Sequence, residues 1–357
     1  MKRSRLAMAS LWPLGFALAV VLAAGTAEGQ TQQWTKYEGN PVLEHGAPGE
    51  WDAVVDHSEV IFDGVTYHMW YAGGLAVHET DIGSATSTDG GVTWTKHPDN
   101  PVLLRGAPGE WDAGTLQPGA VIWDGALFHM WYGAAAVPGG AGTWPTGYAT
   151  SPNGWTWTKH PDNPVLTVGD AGSWDSLDAL ITAVVADGGG FRAWYWGFAD
   201  FNWMSIGYAI SPDGVSWTKW PEPVLEPRGL GWEGASLGLP MVVQDGGVYR
   251  MWYSGRGWEG WCQIGHAVSA DGISWARQPL WEPVLEYGEP GEWDRFCVGN
   301  GRVVLAGDTT HMWYLGISYT GVFAIGYATA PLPFPEAWVF ADDLESGDTS
   351  AWSATVP

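Results

Sequence analysis

Short apolar runs alternate with polar residues along most of the chain and break at glycine-containing turns, with no stretch of helical spacing. Val60 to Phe62 is a β-rich run ending at Asp63-Gly64, a hairpin signal, and Thr66 to Tyr71 returns from it. Ile82 to Thr86 predicts a third strand, and Ser87-Thr88-Asp89-Gly90 turns it into a fourth at Val92 to Lys96. This order of elements recurs with a period of about sixty residues, the mark of a repeat architecture. Trp-Thr-Lys followed by Pro-Val-Leu begins at Trp34, Trp94, Trp157 and Trp217, and Trp275-Ala276-Arg277 with Pro283 is a fifth copy. A Gly-Glu-Trp-Asp-like element follows around Trp51, Trp111, Trp174, Trp232 and Trp293, and then a Trp-Tyr pair at Trp70, Trp131, Trp194, Trp252 and Trp313. Four antiparallel strands per copy predict an all-β fold, a five-bladed β-propeller over residues 28–339.

The ends of the repeat argue for ring closure. The fifth copy has its third strand at Ile325 to Thr329, but Pro331 to Pro335 stands where a Trp-Thr-Lys strand should follow. Trp34-Thr35-Lys36 has no copy of its own, so it is expected to pair as the outer strand of the fifth; an open arc would leave two sheet edges exposed. The tight Asp-Gly-type hairpins then share one face, and the longer, non-repeating connections share the other, where binding usually sits. Trp144, Trp196, Trp203, Trp258 and Trp261 lie outside the repeat pattern in or beside those connections.

Composition narrows the partners. The 357 residues hold 15 Lys+Arg against 39 Asp+Glu, a formal charge of −24, which disfavours nucleic acid and anionic lipid and suits neutral sugars or cations. The 27 Trp, 51 Gly and 24 Pro fit many short strands and turns carrying large aromatic surfaces. Lys2, Arg3 and Arg5, the apolar stretch Leu11 to Ala24 and small residues at Gly25-Thr26-Ala27 read as a signal peptide over 1–27. Pro13 and the short apolar run argue against an uncleaved anchor. The expected product is secreted or periplasmic, monomeric and free of the membrane, with an acidic, poorly ordered tail at 340–357. Cys262 and Cys297, the two cysteines of the chain, are expected to pair in an oxidising compartment, as a staple and not as a catalytic thiol.

Asn-Pro-Val-Leu at 40 to 43, Asp-Gly at 63 to 64, His-Met-Trp-Tyr at 68 to 71 and Ile-Gly-Tyr-Ala-Ile-Ser-Pro-Asp-Gly at 206 to 214 resemble the five-bladed propeller glycosidases. These comprise glycoside hydrolase family 43, the invertase and levansucrase families and the mannoside phosphorylases of family 130; the likeness spans roughly residues 34 to 335. It implies carboxylates at the head of the innermost strand of different blades: a base or nucleophile, a Glu acid and an Asp that tunes the acid. Glycosidic cleavage needs one protonated and one ionised carboxyl flanking the bond. Counting back from the Asp-Gly turns sets Asp56 opposite Gln117 in the second copy and Leu239 in the fourth, with Asp178 the nearest carboxylate in the third and Asn300 and Arg302 offered by the fifth.

Asp56 is therefore expected as the catalytic base and Asp178 as its pKa partner. His57, Gln117, Trp144, Trp203, Arg256, Trp258 and Asn300 are the candidate sugar contacts. The Glu acid has no clean counterpart; Glu79 and Glu233 are the stand-ins. The recurring acids Asp52, Asp112, Asp175 and Asp294 read as fold-bearing because they appear in copy after copy, and His68, His129 and His311 likewise, whereas His57 and His78 fall on the loop-rich face. No His or Cys spacing marks a metal site, and no cofactor is expected beyond a calcium ion conceivable on an acidic axis. Ser87-x-Asp89-x-Gly91-x-x-Trp94 also resembles the Asp-box turn of sialidases, but the later copies are one residue shorter, and sialidases imply six blades and an arginine triad where this chain offers Arg256 and Arg302. The expectation is a glycosidase-type propeller acting on an oligo- or polysaccharide. The rival is a non-catalytic carbohydrate-binding propeller that has lost its acid.

Overall fold

The structure, a computed structural model, describes residues 34–140, 142–200 and 203–332; the segments read as signal peptide and tail lie outside these. The described residues are all-β apart from single 3-10 turns at Pro138–Gly140 and Gly231–Glu233. After β1 (Thr35–Lys36), unit one is β2 (Val54–Phe62), β3 (Tyr67–Gly74), β4 (Thr80–Ser87) and β5 (Thr95–Lys96). Unit two is β6 (Thr115–Trp123), β7 (Phe128–Ala135), β8 (Thr146–Ser151) and β9 (Thr158–Lys159). Unit three is β10 (Asp178–Ala186), β11 (Phe191–Asp200), β12 (Trp203–Ser211) and β13 (Thr218–Lys219). Unit four is β14 (Ser236–Asp245), β15 (Val248–Arg256), β16 (Cys262–Ser269) and β17 (Ala276–Arg277). Unit five is β18 (Cys297–Ala306), β19 (Thr309–Ile317) and β20 (Phe323–Pro331).

Each unit is an antiparallel meander, consistent with a propeller, and β1 completes unit five by pairing with β20, Thr35 opposite Thr329 and Lys36 opposite Ala328. The units do not all stay separate sheets. Cys262 of β16 sits beside Cys297 of β18 in a single parallel bridge, which fuses units four and five into one eight-stranded sheet alongside three four-stranded ones. The two cysteines are joined there as a disulfide, with Cα atoms 4.5 Å apart.

The repeated tryptophans explain how the units pack. Trp70, Trp131, Trp194, Trp252 and Trp313 are fully buried, and each meets the tryptophan of a neighbouring outer strand edge to face: Trp157, Trp217, Trp275, Trp34 and Trp94 respectively. Burying a ring of 150–250 Å² is worth on the order of 4–6 kcal/mol before entropy, so these seams dominate the core. The indoles of Trp70, Trp131, Trp194 and Trp313 also find carbonyl acceptors. Trp313 Nε1 donates to Gly91 O in the β4–β5 turn at 2.8 Å. Gly91 has φ +81°, and a Cβ there would lie 2.1 Å from the Trp313 ring, so this turn demands glycine.

Candidate functional site

The carboxylates fall into two sets. In the first, each Gly-Glu-Trp-Asp-like element delivers an acid to the tyrosine of its own unit and to a cation on the outer strand. Tyr71 donates to Asp52 at 3.0 Å and Lys96 reaches the same oxygen at 2.7 Å. Asp112 takes Lys159 at 2.6 Å and lies 3.5 Å from the Tyr132 hydroxyl, and Asp175 takes Tyr195 and Lys219. In unit five Asp294 takes Tyr314 and Lys36, the lysine coming from β1. Unit four carries a double exchange: Glu233 accepts from Tyr253 at 2.7 Å and faces Arg277 at 2.7 Å and Arg228 at 3.3 Å. Glu233 is thus the fourth unit's version of the repeated acid, buried among two arginines and a tyrosine, and it does not stand in for a general acid. Glu79, the other stand-in, is exposed on the β3–β4 loop.

The second set does not repeat. Val55, Leu116, Ala179, Leu237 and Val298 pair with Gly73, Ala134, Gly197, Gly255 and Gly316, each the second residue after its unit's Trp-Tyr pair. The next residues on this rung are therefore Asp56, Gln117, Leu180, Gly238 and Gly299. This corrects the alignment read from the turns: Gly238, not Leu239, stands level with Asp56, because the two strands carry equivalent bulges and Asp245, not the glycine after it, takes the place of Asp63 at the turn. Asp178 heads β10 two residues before Leu180, on the same side of its strand and nearer the loop-rich end.

Asp56 is buried, and His57 presents both its backbone N–H and its ring to it. The N–H donates to Asp56 Oδ1 at 2.9 Å, and ring Nδ1 lies at the same distance but too obliquely for a directed hydrogen bond. Burial pushes the Asp56 carboxyl up, but the proximity of His57, its donated bond and the more distant His78 outweigh this and hold it below the usual carboxylate range. Asp178 goes the other way. Its burial raises the carboxyl well above the ordinary value, against the Leu180 N–H at 2.9 Å and the distant charge of Lys219. Trp144 links Asp178 to His78. Its ring meets His78 edge to face at 5.9 Å, and its backbone brackets Asp178, Trp144 N donating to Leu177 O and Ala179 N to Trp144 O. His78 itself sits at φ +60°, a conformation unusual for a side chain other than glycine. Buried threonines fix the strands: Thr80 Oγ1 donates to Leu116 O and Thr146 Oγ1 to Ala179 O, both at 2.6 Å.

The remaining expected contacts are scattered. Gln117 is buried on the Asp56 rung in unit two. Trp203 and Trp258 are exposed at the start of β12 and beyond the end of β15, with Trp258 Nε1 donating to Gly229 O; Arg256 Nε donates to Ser236 Oγ at 3.2 Å. Asn300 does not face solvent. Its amide donates to Ser58 O at 3.2 Å and its side-chain oxygen accepts from Arg302, deep in the molecule.

That hub around Arg302 was not foreseen. The guanidinium, fully buried, donates to Ser58 O in β2, Thr182 O in β10 and Pro240 O in β14, so from β18 it spans the inner strands of four units. Glu59 lies 3.3 Å away, and burial raises its carboxyl to about 8 despite the Arg302 charge. Glu59 and Arg302 occupy the rung opposite the repeated tryptophan, where units three and four carry Ala183 and Met241. Two charged residues at an otherwise apolar rung were the available signal. Among the described residues no three His, Cys, Asp or Glu side chains gather as a metal site.

No family model matches the chain. A protein described as uncharacterized from Mycobacterium tuberculosis is 29% identical over 226 residues, covering 60% of this chain and 72% of that protein. Solved structures are similar over most of the chain. A glycoside hydrolase matches 83% of it and 95% of itself with TM-score 0.65 and 19% identity. A thermostable family-43 glycoside hydrolase covers 82% and 100% at 0.60 and 16% identity. A β-1,2-mannobiose phosphorylase from Listeria innocua, solved with β-1,2-mannobiose, covers 84% and 96% at 0.62 and 15% identity. The chain has the fold of the propeller glycoside hydrolases and phosphorylases.

Proposed function

We propose that the five units close into a five-bladed propeller and that the chain is an exported glycoside hydrolase acting on a neutral glycan. Three features support closure: the tryptophan contacts run around all five seams, Lys36 of β1 completes the fifth Tyr-Asp-Lys set, and Arg302 ties four inner strands together. The observation that carries the chemistry is the opposed environment of the two unrepeated acids on the inner strands of units one and three, Asp56 facing His57 and drawn below the ordinary carboxylate range, Asp178 buried and raised above it. Asp178, expected only as a pKa partner, then takes the place of the missing Glu. Its O–H gives a proton to the glycosidic oxygen as the C–O bond breaks, while Asp56 accepts a proton from the water whose oxygen bonds to the sugar carbon. Solvent afterwards returns a proton to Asp178 and removes one from Asp56.

The test is release of reducing ends from a panel of neutral polysaccharides and aryl glycosides by the wild type and by Asp56→Asn. Turnover by the wild type with a fall of about 10² or more in the variant is expected, glycan affinity staying similar. Binding without turnover would make the protein a carbohydrate-binding propeller, and neither binding nor turnover would overturn the reading.

A further inference from the structure

The seam between units four and five carries aromatic surface that the repeat does not require. The residue preceding each inner strand is Ala53, Gly114, Leu177 and Ala235 in the first four units but Phe296 in the fifth. Phe296 is 37% exposed, and Tyr319, on the β19–β20 loop, is 67% exposed with its ring 6.1 Å from Phe296. Trp261 backs both, 5.8 Å from Phe296 and 5.5 Å from Tyr319, and is itself braced by Tyr287 at 4.9 Å. The Arg295 guanidinium lies 5.1 Å from the Trp261 ring and 5.0 Å from that of Tyr287, and donates to Gly288 O.

These rings are held in place. Trp261 and Phe296 immediately precede the two halves of the Cys262–Cys297 disulfide, so one covalent staple anchors both. The Tyr319 loop is closed on itself, Ser318 N donating to Val322 O at 2.9 Å, Gly321 N to Ser318 O at 3.0 Å and Val322 N to Ser318 Oγ at 3.0 Å. Exposed aromatic surface on a rigid, covalently braced base loses little entropy on binding, the condition under which a flat apolar ligand face is captured well.

We propose that Tyr319 and Phe296, backed by Trp261, form a second sugar-binding platform that stacks on the pyranose faces of a neutral polysaccharide. It lies on the loop-rich face like Asp56 and Asp178 but in units four and five, which adjoin their units three and one. The occupant is a glycan because the two foremost groups are uncharged rings, and neutral because a chain of charge −24 repels anionic polymers. The proposal rests on the glycan-acting reading above.

The experiment compares wild type, Tyr319→Ala, Phe296→Ala and Tyr319→Trp by affinity electrophoresis in neutral polysaccharide gels and by turnover of a short aryl glycoside. Tyr319→Ala and Phe296→Ala should each weaken polysaccharide retention by up to about tenfold, the scale of one lost aromatic contact, while Tyr319→Trp keeps it and aryl glycoside turnover is unchanged. Unchanged retention in folded Tyr319→Ala overturns the platform even if the short substrate is still cleaved. Retention lost in Tyr319→Ala by a wild type that cleaves nothing supports the platform and overturns the hydrolase reading alone. A concentration-dependent dimer that Tyr319→Ala dissolves would assign the patch to a second copy of the chain and overturn the proposal.

Discussion

Asp175 and Asp178 lie three residues apart, are buried to a similar degree and have opposite meanings. Asp175 belongs to a set present in every unit, and its charge is met by Tyr195 and Lys219. Asp178 has no counterpart in the other units; its nearest donor is a backbone N–H, and burial raises its carboxyl well above the ordinary range. Unit four shows what selection on the first set looks like, since the longer Glu233 comes with Arg277 in place of lysine and the triad survives the exchange. A buried acid that is repeated and fully partnered holds the fold, whereas one that is unrepeated and underpartnered is available for chemistry.

The comparison breaks most visibly if the repeated acid is removed. Asp175→Ala strands Lys219 and Tyr195 and should cost about 3–5 kcal/mol in denaturant unfolding, the scale for one half of a buried ion pair. Asp178→Asn keeps the shape and the oxygen that accepts from Leu180. It should leave stability nearly unchanged and lower turnover by about 10²–10⁴, the range for loss of a general acid. The pH profile sharpens this: the wild type should lose activity on the acid side as Asp56 protonates and on the alkaline side as Asp178 ionises, and the alkaline limb should vanish in Asp178→Asn. Lys36→Met tests whether the fifth triad equals the others. It leaves Asp294 with Tyr314 and should cost about 1–3 kcal/mol, matching Lys96→Met in unit one; a negligible cost for Lys36 alone would show that β1 does not complete the ring.

A smaller effect comes from Glu59. Its folded-state value of about 8 lies above the ordinary 4.5, so the folded chain binds the extra proton. That contribution is fully present below about pH 4.5 and is lost as pH rises through about 8. Thermal unfolding between pH 5 and 9 should therefore show a steeper fall for wild type than for Glu59→Gln, and parallel curves would mean that Glu59 does not carry the proton.

The strand order and the role of four repeated acids were legible because both recur: five Trp-Tyr pairs and Asp52, Asp112, Asp175 and Asp294 reveal their rung by comparison with one another, whereas Glu233, a glutamate in the fourth unit, was read as a stand-in acid. The β1–β20 pairing was legible for the same reason, since Trp34-Thr35-Lys36 was a fourth strand without a unit. The axis was not. Every inner strand carries a bulge, at Val55/Ser58, Pro118/Val121, Ile181/Ala183, Gly238/Met241 and Gly299/Arg302, and each breaks the two-residue period, which hid that Asn300 and Arg302 point inward. The raised carboxyl of Asp178 was equally hidden, because it arises from burial within the folded chain, which the sequence does not display.

The last prediction separates the two ways of finding the acid. Family resemblance asks for a Glu, and Glu79 sits on the β3–β4 loop, one residue after His78, so its position by itself is suggestive. Its side chain, however, is exposed to solvent. Asp178 has the burial that Glu79 lacks. Glu79→Gln should therefore leave turnover within about twofold of wild type, the least effect of any carboxyl change considered, with an unaltered alkaline limb. A loss comparable to that of Asp178→Asn would mean that the β3–β4 loop folds over the bound glycan and buries Glu79 there, returning the acid to unit one beside Asp56.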